Sequence, residues 1–408
     1  MSNESFEYVI VGAGMAGAAA VRGIRSQDPE GAIALIGAEP DAPYTRPALS
    51  KALWREPETT TVDTIGLEGP GLPGVDFRPS TTVTALDTAA RTVTVGSGAT
   101  IGYRRLILAT GGRPRRSGAT PGPRVIHFHD LGDYRALRAL ADRGARLIVI
   151  GAGFIGSELA AVLSATEATV TYVFSRQAVG ARQFPSEITD HLDAVFADHG
   201  IELVPGSRLE SVEDTGSGVH VTLAGGRVLS GDAVVLGLGQ EPDTGLAERA
   251  GLEVDGGVVV DGHWRTSDPD VFAVGDVAAV PDPIFGRRRI EHEDAAVTGG
   301  LAAGRNAAGG RAVDGHVPFF YSDLFEDGYE ALGRVDASLD TVIDWKSRSE
   351  SAEGSSEAVI YYLDADRVLQ GVLMWNVWGD DAHDTKAIAA RLLADRSPRT
   401  AEDLLGRI

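Results

Sequence analysis

The sequence predicts an α/β protein built from two copies of one parallel βαβ unit, the second inserted in the domain of the first, plus a small antiparallel α+β domain at the C-terminus. Three observations predict it. The β-branched run Glu7-Tyr8-Val9-Ile10-Val11 enters Gly12-Ala13-Gly14-Met15-Ala16-Gly17, and an alanine-rich helical stretch follows. The same succession returns where Arg146–Ile150 enters Gly151-Ala152-Gly153-Phe154-Ile155-Gly156. Beyond Phe319 the pattern changes to apolar runs separated by turns. A chain of 408 residues also exceeds what one hydrophobic core normally serves.

Residues 32–36 read as the second strand of the first unit. The glycine spacing then has a chemical meaning. The first glycine permits a tight turn, the second lets the backbone approach a pyrophosphate, and the third lets helix and strand pack closely. The helix N-terminus offers N–H groups and a positive dipole end to the phosphates. In the second unit, residues 157–163 continue as a helix and residues 168–174 alternate as the next strand. One such turn is weak evidence in a chain with 51 glycines. Two copies, each after an apolar strand and before a helix, predict two Rossmann-like dinucleotide-binding domains. The competing reading is a pair of nucleotide-free α/β turns.

The spacing sets the domain organisation. Residues 1–113 open the first domain and residues 241–318 complete it; residues 114–240 form the insertion. Residues 114–123, rich in proline and glycine, read as a linker. Residues 319–408 form the C-terminal domain, with strands at 341–345, 358–363 and 368–377 and a helix at 384–395.

Composition excludes several functions. The formal net charge of -21 repels nucleic acid and anionic membrane, and it repels an acidic protein partner unless a local basic patch compensates. The chain has no cysteine, which excludes a redox disulfide, a cysteine-ligated iron–sulfur cluster and a thiolate nucleophile. No residue cluster reads as a metal site. Residues 1–8 are polar and run straight into a strand, and no apolar run approaches the ~20 residues of a membrane span. A cytoplasmic location is expected.

Each glycine fingerprint predicts an acidic residue about 20 positions beyond its last glycine, gripping a ribose. The first copy supplies Glu39. The second strand instead runs into Phe174-Ser175-Arg176, without an acid in reach. Arg176, with Arg182, is placed to hold a 2′-phosphate, which favours NADPH over NADH; a solvated loop arginine is the equal alternative.

Further segments resemble a known family. Pro43-Tyr44-Thr45-Arg46-Pro47-Ala48-Leu49-Ser50-Lys51 resembles the Arg-Pro-Pro-Leu-Ser-Lys signature of FAD-dependent pyridine-nucleotide oxidoreductases of the ferredoxin reductase and apoptosis-inducing factor type, with Ala48 in place of the second proline. Leu108-Ala109-Thr110-Gly111-Gly112, Gly153-Phe154-Ile155-Gly156-Ser157-Glu158, the run from Thr266 to Asp276, and Arg289-Ile290-Glu291-His292 continue the likeness. Ser322-Asp323-Leu324, Gly328-Tyr329-Glu330 and Met374-Trp375-Asn376 look most like apoptosis-inducing factor.

The resemblance implies FAD in the first domain, at Gly12, Gly14, Gly17, Glu39, Arg46, Val83, Ala109, Thr110, Gly111 and Asp276. It implies a nicotinamide nucleotide, NADPH or NADH, at Gly151, Gly153 and Gly156. Asp276 is expected at a ribityl hydroxyl, with a helix N-cap as its alternative role. Arg46 is expected near the isoalloxazine or the pyrophosphate, and Glu291 on the nicotinamide side. His292 is expected to be a packed or capping residue. Lys51 and Glu158 are expected to pair beside flavin N5 and to serve catalysis; the chain's only other lysines are Lys346 and Lys386. Tyr321 stands where relatives usually carry a tryptophan beside the flavin. The implied activity is hydride transfer from nicotinamide to flavin, then electron transfer to a ferredoxin-like acceptor, by a monomer or homodimer. Arg287-Arg288-Arg289 and Arg113, Arg115 and Arg116 are the basic candidates for docking. Two alternatives remain: a redox-sensing interaction protein like apoptosis-inducing factor, and a biosynthetic flavin oxidase on the same scaffold.

Overall fold

The computed structural model describes residues 4–116, 122–313, 315–348, 356–379 and 384–408. Part of the expected linker, 117–121, and residues 1–3 of the polar segment lie outside the described residues. The chain forms two compact units: Met1–Ala48, Glu58–Arg113 and Glu241–Pro318 in one; Leu49–Pro57, Pro114–Gln240 and Phe319–Ile408 in the other.

In the first unit the β-branched runs become a parallel sheet. Strand Glu4–Val11 lies between Ile33–Ile36 and Thr100–Leu108, parallel to both. Val75–Arg78 extends the sheet beyond Ile33–Ile36, and Val271–Ala273 joins beside Thr100–Leu108, again parallel. Val83–Asp87 and Thr92–Val95 form an antiparallel edge. Alternate residues serve opposite faces. Val9, Val11, Leu106 and Leu108 join one core cluster; Tyr8, Ile10 and Ile107 join the other with the helices. Helix Met15–Arg25 packs on helix Glu293–Ala307 with small residues in the seam. A side chain at Gly304 would collide with the Ala20 carbonyl oxygen, so part of the high glycine content serves close helix packing.

The second unit repeats the theme. Its five-stranded parallel sheet runs in the order Glu202–Val204, Thr169–Val173, Arg146–Ile150, Ala233–Leu236, Val125–Ile126. Helix Phe154–Ser164 follows the central strand, and helix Ser186–Asp198 precedes the edge strand Glu202–Val204. An antiparallel trio, Leu209–Asp214, Val219–Leu223 and Val228–Gly231, stands beside it.

The same unit carries the C-terminal antiparallel sheet, ordered Phe319–Leu324, Asp327–Gly333, Leu369–Trp375, Glu357–Leu363, Asp340–Ser347. Its core is aromatic: Tyr329, Tyr361, Tyr362 and Trp375 are fully buried. The first two of these strands form a hairpin that the residue pattern does not announce. The strand expected over 368–377 stops at Trp375, because Asn376 turns into the left-handed region with φ 54°. Helix Thr385–Ala394 is capped by Asp384, whose carboxylate accepts the Ala387 N–H. Among the described residues no helix is long and apolar enough to cross a membrane.

Candidate cofactor and active site

Both glycine turns have the same construction. Gly12 has φ 113°, and a Cβ there would collide with the Ala109 carbonyl. A Cβ on Gly17 would collide with the Gly12 carbonyl. Gly14 differs: a Cβ would meet nothing within 4 Å. It is the N-cap of helix Met15–Arg25 and supplies no side-chain cap. In the second unit Gly151 (φ 149°) abuts the Gly237 carbonyl and Gly156 the Gly151 carbonyl, while Gly153 again faces open space. Gly153 is likewise the uncapped N-cap of helix Phe154–Ser164. Packing within the protein therefore explains the outer glycines and not the middle ones. Two helix N-termini, each with N–H donors lacking a side-chain cap and room for close approach, fit two pyrophosphates.

Glu39 lies just past strand Ile33–Ile36, at the C-terminal edge where doubly wound sheets take their ligands. Its Oε2 accepts the Tyr44 hydroxyl at 2.6 Å, and its Oε1 pairs with the Arg46 guanidinium. Arg46 also stacks over Tyr44, 5.4 Å from the ring centroid. The structure thus brings Glu39 and Arg46, expected at different parts of one dinucleotide, into a single cluster. Ala109 and Val83 are buried, Val83 within a core cluster. Thr110 donates to the Asp243 carbonyl at 2.8 Å, and Gly111 takes φ 67°. Asp276 sits inside the short 3-10 turn Gly275–Val277, so it caps no α-helix.

Glu291 pairs with Arg289. His292 occupies the N-cap position of helix Glu293–Ala307 without a side-chain capping bond. Burial, reinforced by the charge of Arg288, pushes its pKa down to about 4, so its ring is neutral at pH 7. The arginine run is occupied within the chain. Arg287 donates to the Val260 carbonyl, Arg288 pairs with Asp282 at 2.5 Å, and Arg113 pairs with Asp243 at 3.0 Å.

Lys51 and Glu158 meet in the second unit. Lys51 stands at the N-cap of the short helix Ala52–Arg55. Glu158 lies in helix Phe154–Ser164, with only 2% of its side chain exposed. Lys51 Nζ is 2.7 Å from Glu158 Oε1. Taking both charges out of water costs several kcal/mol per ion unless other hydrogen bonds compensate. Two do: Ser50 Oγ donates to Oε2 at 2.5 Å and Ser322 Oγ to Oε1 at 2.6 Å. Tyr321 presents its ring to the ammonium, 5.3 Å from centroid to Nζ. Ser50 and Ser322 received no role from the sequence. Both stand inside segments that resemble the family, Leu49-Ser50-Lys51 and Ser322-Asp323-Leu324, but their convergence on one carboxylate depends on the fold.

Strand Thr169–Val173 runs parallel to Arg146–Ile150 with Val173 opposite Ile150. The chain therefore leaves it beside the Gly151 turn, through Phe174 and Ser175 to Arg176. Arg176 and Arg182 are exposed and make no ion pair among the described residues.

The chain is similar to known proteins along most of its length. A profile described as pyridine nucleotide-disulphide oxidoreductase matches residues 6–300. The chain is 30% identical to "Apoptosis-inducing factor 1, mitochondrial" of Dictyostelium discoideum, over 98% of this chain and 80% of that protein. It is also 30% identical to the anthranilate 1,2-dioxygenase system ferredoxin–NAD(+) reductase component of Burkholderia cepacia, over 95% of each. Among solved structures, a chain of the covalent putidaredoxin reductase–putidaredoxin complex superposes with a TM-score of 0.83 at 28% identity, covering 98% of this chain and 94% of that one. With its doubled glycine turns and a family match spanning well over half its length, the chain belongs to the pyridine nucleotide-disulphide oxidoreductase family.

Proposed function

We propose that the protein is an FAD-dependent NAD(P)H reductase whose electrons pass to a ferredoxin-like protein. The observation that carries this reading is the pair of open middle glycines, Gly14 and Gly153, each at an uncapped helix N-terminus. One dinucleotide is thereby assigned to each unit: FAD to Gly12, Gly14 and Gly17, the nicotinamide nucleotide to Gly151, Gly153 and Gly156. Bound FAD supplies the chemistry that accepts a hydride and releases electrons singly. Glu39 would grip the adenosine ribose of FAD, with Arg46 orienting the carboxylate. Lys51 would place a fixed positive charge where electron density builds, held there by Glu158, Ser50 and Ser322. Tyr321 would offer an aromatic face beside it. No cysteine is present to relay electrons through a disulfide. The relatives named as ferredoxin reductases support the acceptor class. Anaerobic reduction by NADH and NADPH, followed by reoxidation with ferredoxins, tests the whole sequence.

The nucleotide preference is proposed from Arg176. It is exposed, leaves the sheet beside the Gly151 turn and has no ion-pair partner among the described residues. A 2′-phosphate would complete it, which favours NADPH. The Burkholderia relative is named for NAD(+), so the test compares both nucleotides.

The likeness to apoptosis-inducing factor over 98% of the chain favours a second reading, a redox-sensing interaction protein. In that case the reduced protein would reoxidise slowly with every ferredoxin tried.

A further inference from the structure

Glu158 is held from the hairpin side by one hydroxyl, that of Ser322. The hairpin fixes this hydroxyl at two points. On its own strands, Ser322 is in register with Tyr329, whose phenol is fully buried and is pushed well above its ordinary pKa by burial. Tyr329 therefore keeps its proton and stands as a neutral, packed cross-strand neighbour of the serine. At the turn, Phe325 stacks on His199 with 3.9 Å between centroids and meets Phe196 edge-on. Its carbonyl accepts Arg55, on the short helix that Lys51 begins, at 2.8 Å. Asp327 bonds His191 at 2.7 Å and Asn376 at 2.8 Å. The hairpin is thus clamped to helix Ser186–Asp198, and the clamp sets where Ser322 Oγ stands.

We propose that Ser322 is a positioning residue that acts through Glu158 to set the place of the Lys51 ammonium. Its role in hydride transfer rests on the reading of Lys51 given above. Ser322 shares Oε1 with Lys51, whereas Ser50 binds the other oxygen. Without the Ser322 hydroxyl, Oε1 keeps a single partner and the carboxylate can rotate about its terminal torsion, carrying the lysine with it.

The scarcity of lysine makes this directly observable. Lysine labelled with carbon-13 at Cε gives three sites in the FAD-loaded protein: Lys51, Lys346 and Lys386. Lys386 pairs with Glu330 on the same hairpin at 2.6 Å and so reports distortion of the hairpin as a whole. In Ser322→Ala the Lys51 signal should move while the Lys386 and Lys346 signals stay, and Ser322→Thr should restore it. Flavin reduction at saturating nucleotide should slow roughly 10- to 100-fold with little change in KM, the range carried by one hydrogen bond to a charged group. Should the alanine variant not fold, Ser322→Cys keeps a side chain of similar shape with only a weak donor. An unmoved Lys51 signal, or Lys51 and Lys386 moving together, overturns the proposal. A moved Lys51 signal with unchanged reduction supports the positioning and removes Lys51 from the chemistry.

Discussion

Lys51 Nζ lies 2.7 Å from Glu158 Oε1, with 12% of the lysine side chain and 2% of the glutamate side chain exposed. Removing the cation as Lys51→Ala strands a buried carboxylate, which typically costs about 3–5 kcal/mol of stability. The double variant Lys51→Ala/Glu158→Ala should lose less than the sum of the single changes, because the stranded charge is gone. FAD content should be unaffected in Lys51→Ala, while flavin reduction slows by ~10²–10³. Denaturant titration and stopped-flow absorbance measure the two effects separately.

The glycine turns give a sharper contrast. Gly14 has extended backbone angles and open space, so Gly14→Val should fold, losing no more than about 2 kcal/mol to the poorer N-cap. It should bind FAD poorly, because the new side chain fills the space left for the pyrophosphate. Gly12→Val, with φ 113° and the Ala109 carbonyl in the way, should not fold stably. Gly153→Val should keep FAD and lose nicotinamide binding. Equilibrium dialysis and thermal melts distinguish all three; a Gly14→Val protein that retains full FAD would remove the pyrophosphate from that turn.

Arg176 provides a specificity test. Arg176→Glu should raise KM for NADPH and lower it for NADH, since a carboxylate repels the 2′-phosphate and accepts from ribose hydroxyls. Steady-state kinetics with both nucleotides decides it. Unchanged ratios would make Arg176 a solvated loop residue.

Two histidines make stability depend on pH in opposite directions. The Asp327 hydrogen bond raises the His191 pKa, with burial opposing it. The native chain therefore holds more protons than the unfolded chain above about pH 6.5. That stabilisation is full below about pH 6.5 and is lost as pH rises through the folded-state value. His292, pushed down to about 4 by burial, costs stability as pH falls from about 6.5 toward 4. Tm measured against pH should lose part of its slope above about pH 6.5 in Asp327→Asn, and between about pH 6.5 and 4 it should fall less steeply in His292→Asn, with His127, also depressed by burial, supplying part of the slope that remains.

The sequence announced what local pattern controls. Apolar runs such as Arg146–Ile150 became parallel strands because burial on both faces demands such residues. The Phe319–Gly333 hairpin escaped, because Ser322, Asp323, Glu326 and Asp327 interrupt the apolar run and Phe325 turns through φ 57°. Ser50 and Ser322 escaped for another reason: they lie 108 and 164 residues from Glu158, a separation no periodicity encodes. The arginine run 287–289 has the Val260 carbonyl, Asp282 and Glu291 as its partners, and the first of these comes from a distant strand end that no local pattern encodes.

An FAD-bearing chain that takes a hydride from a nicotinamide nucleotide reports that step in its own colour. Anaerobic stopped-flow mixing of the purified protein with NADPH or NADH, followed at the flavin absorbance, tests it most directly. The purified protein should be yellow, release FAD on denaturation, lose its flavin absorbance on mixing, and recover it when a ferredoxin is added. A colourless protein that cannot be reconstituted with FAD, or a bound flavin that neither nucleotide reduces, would contradict it.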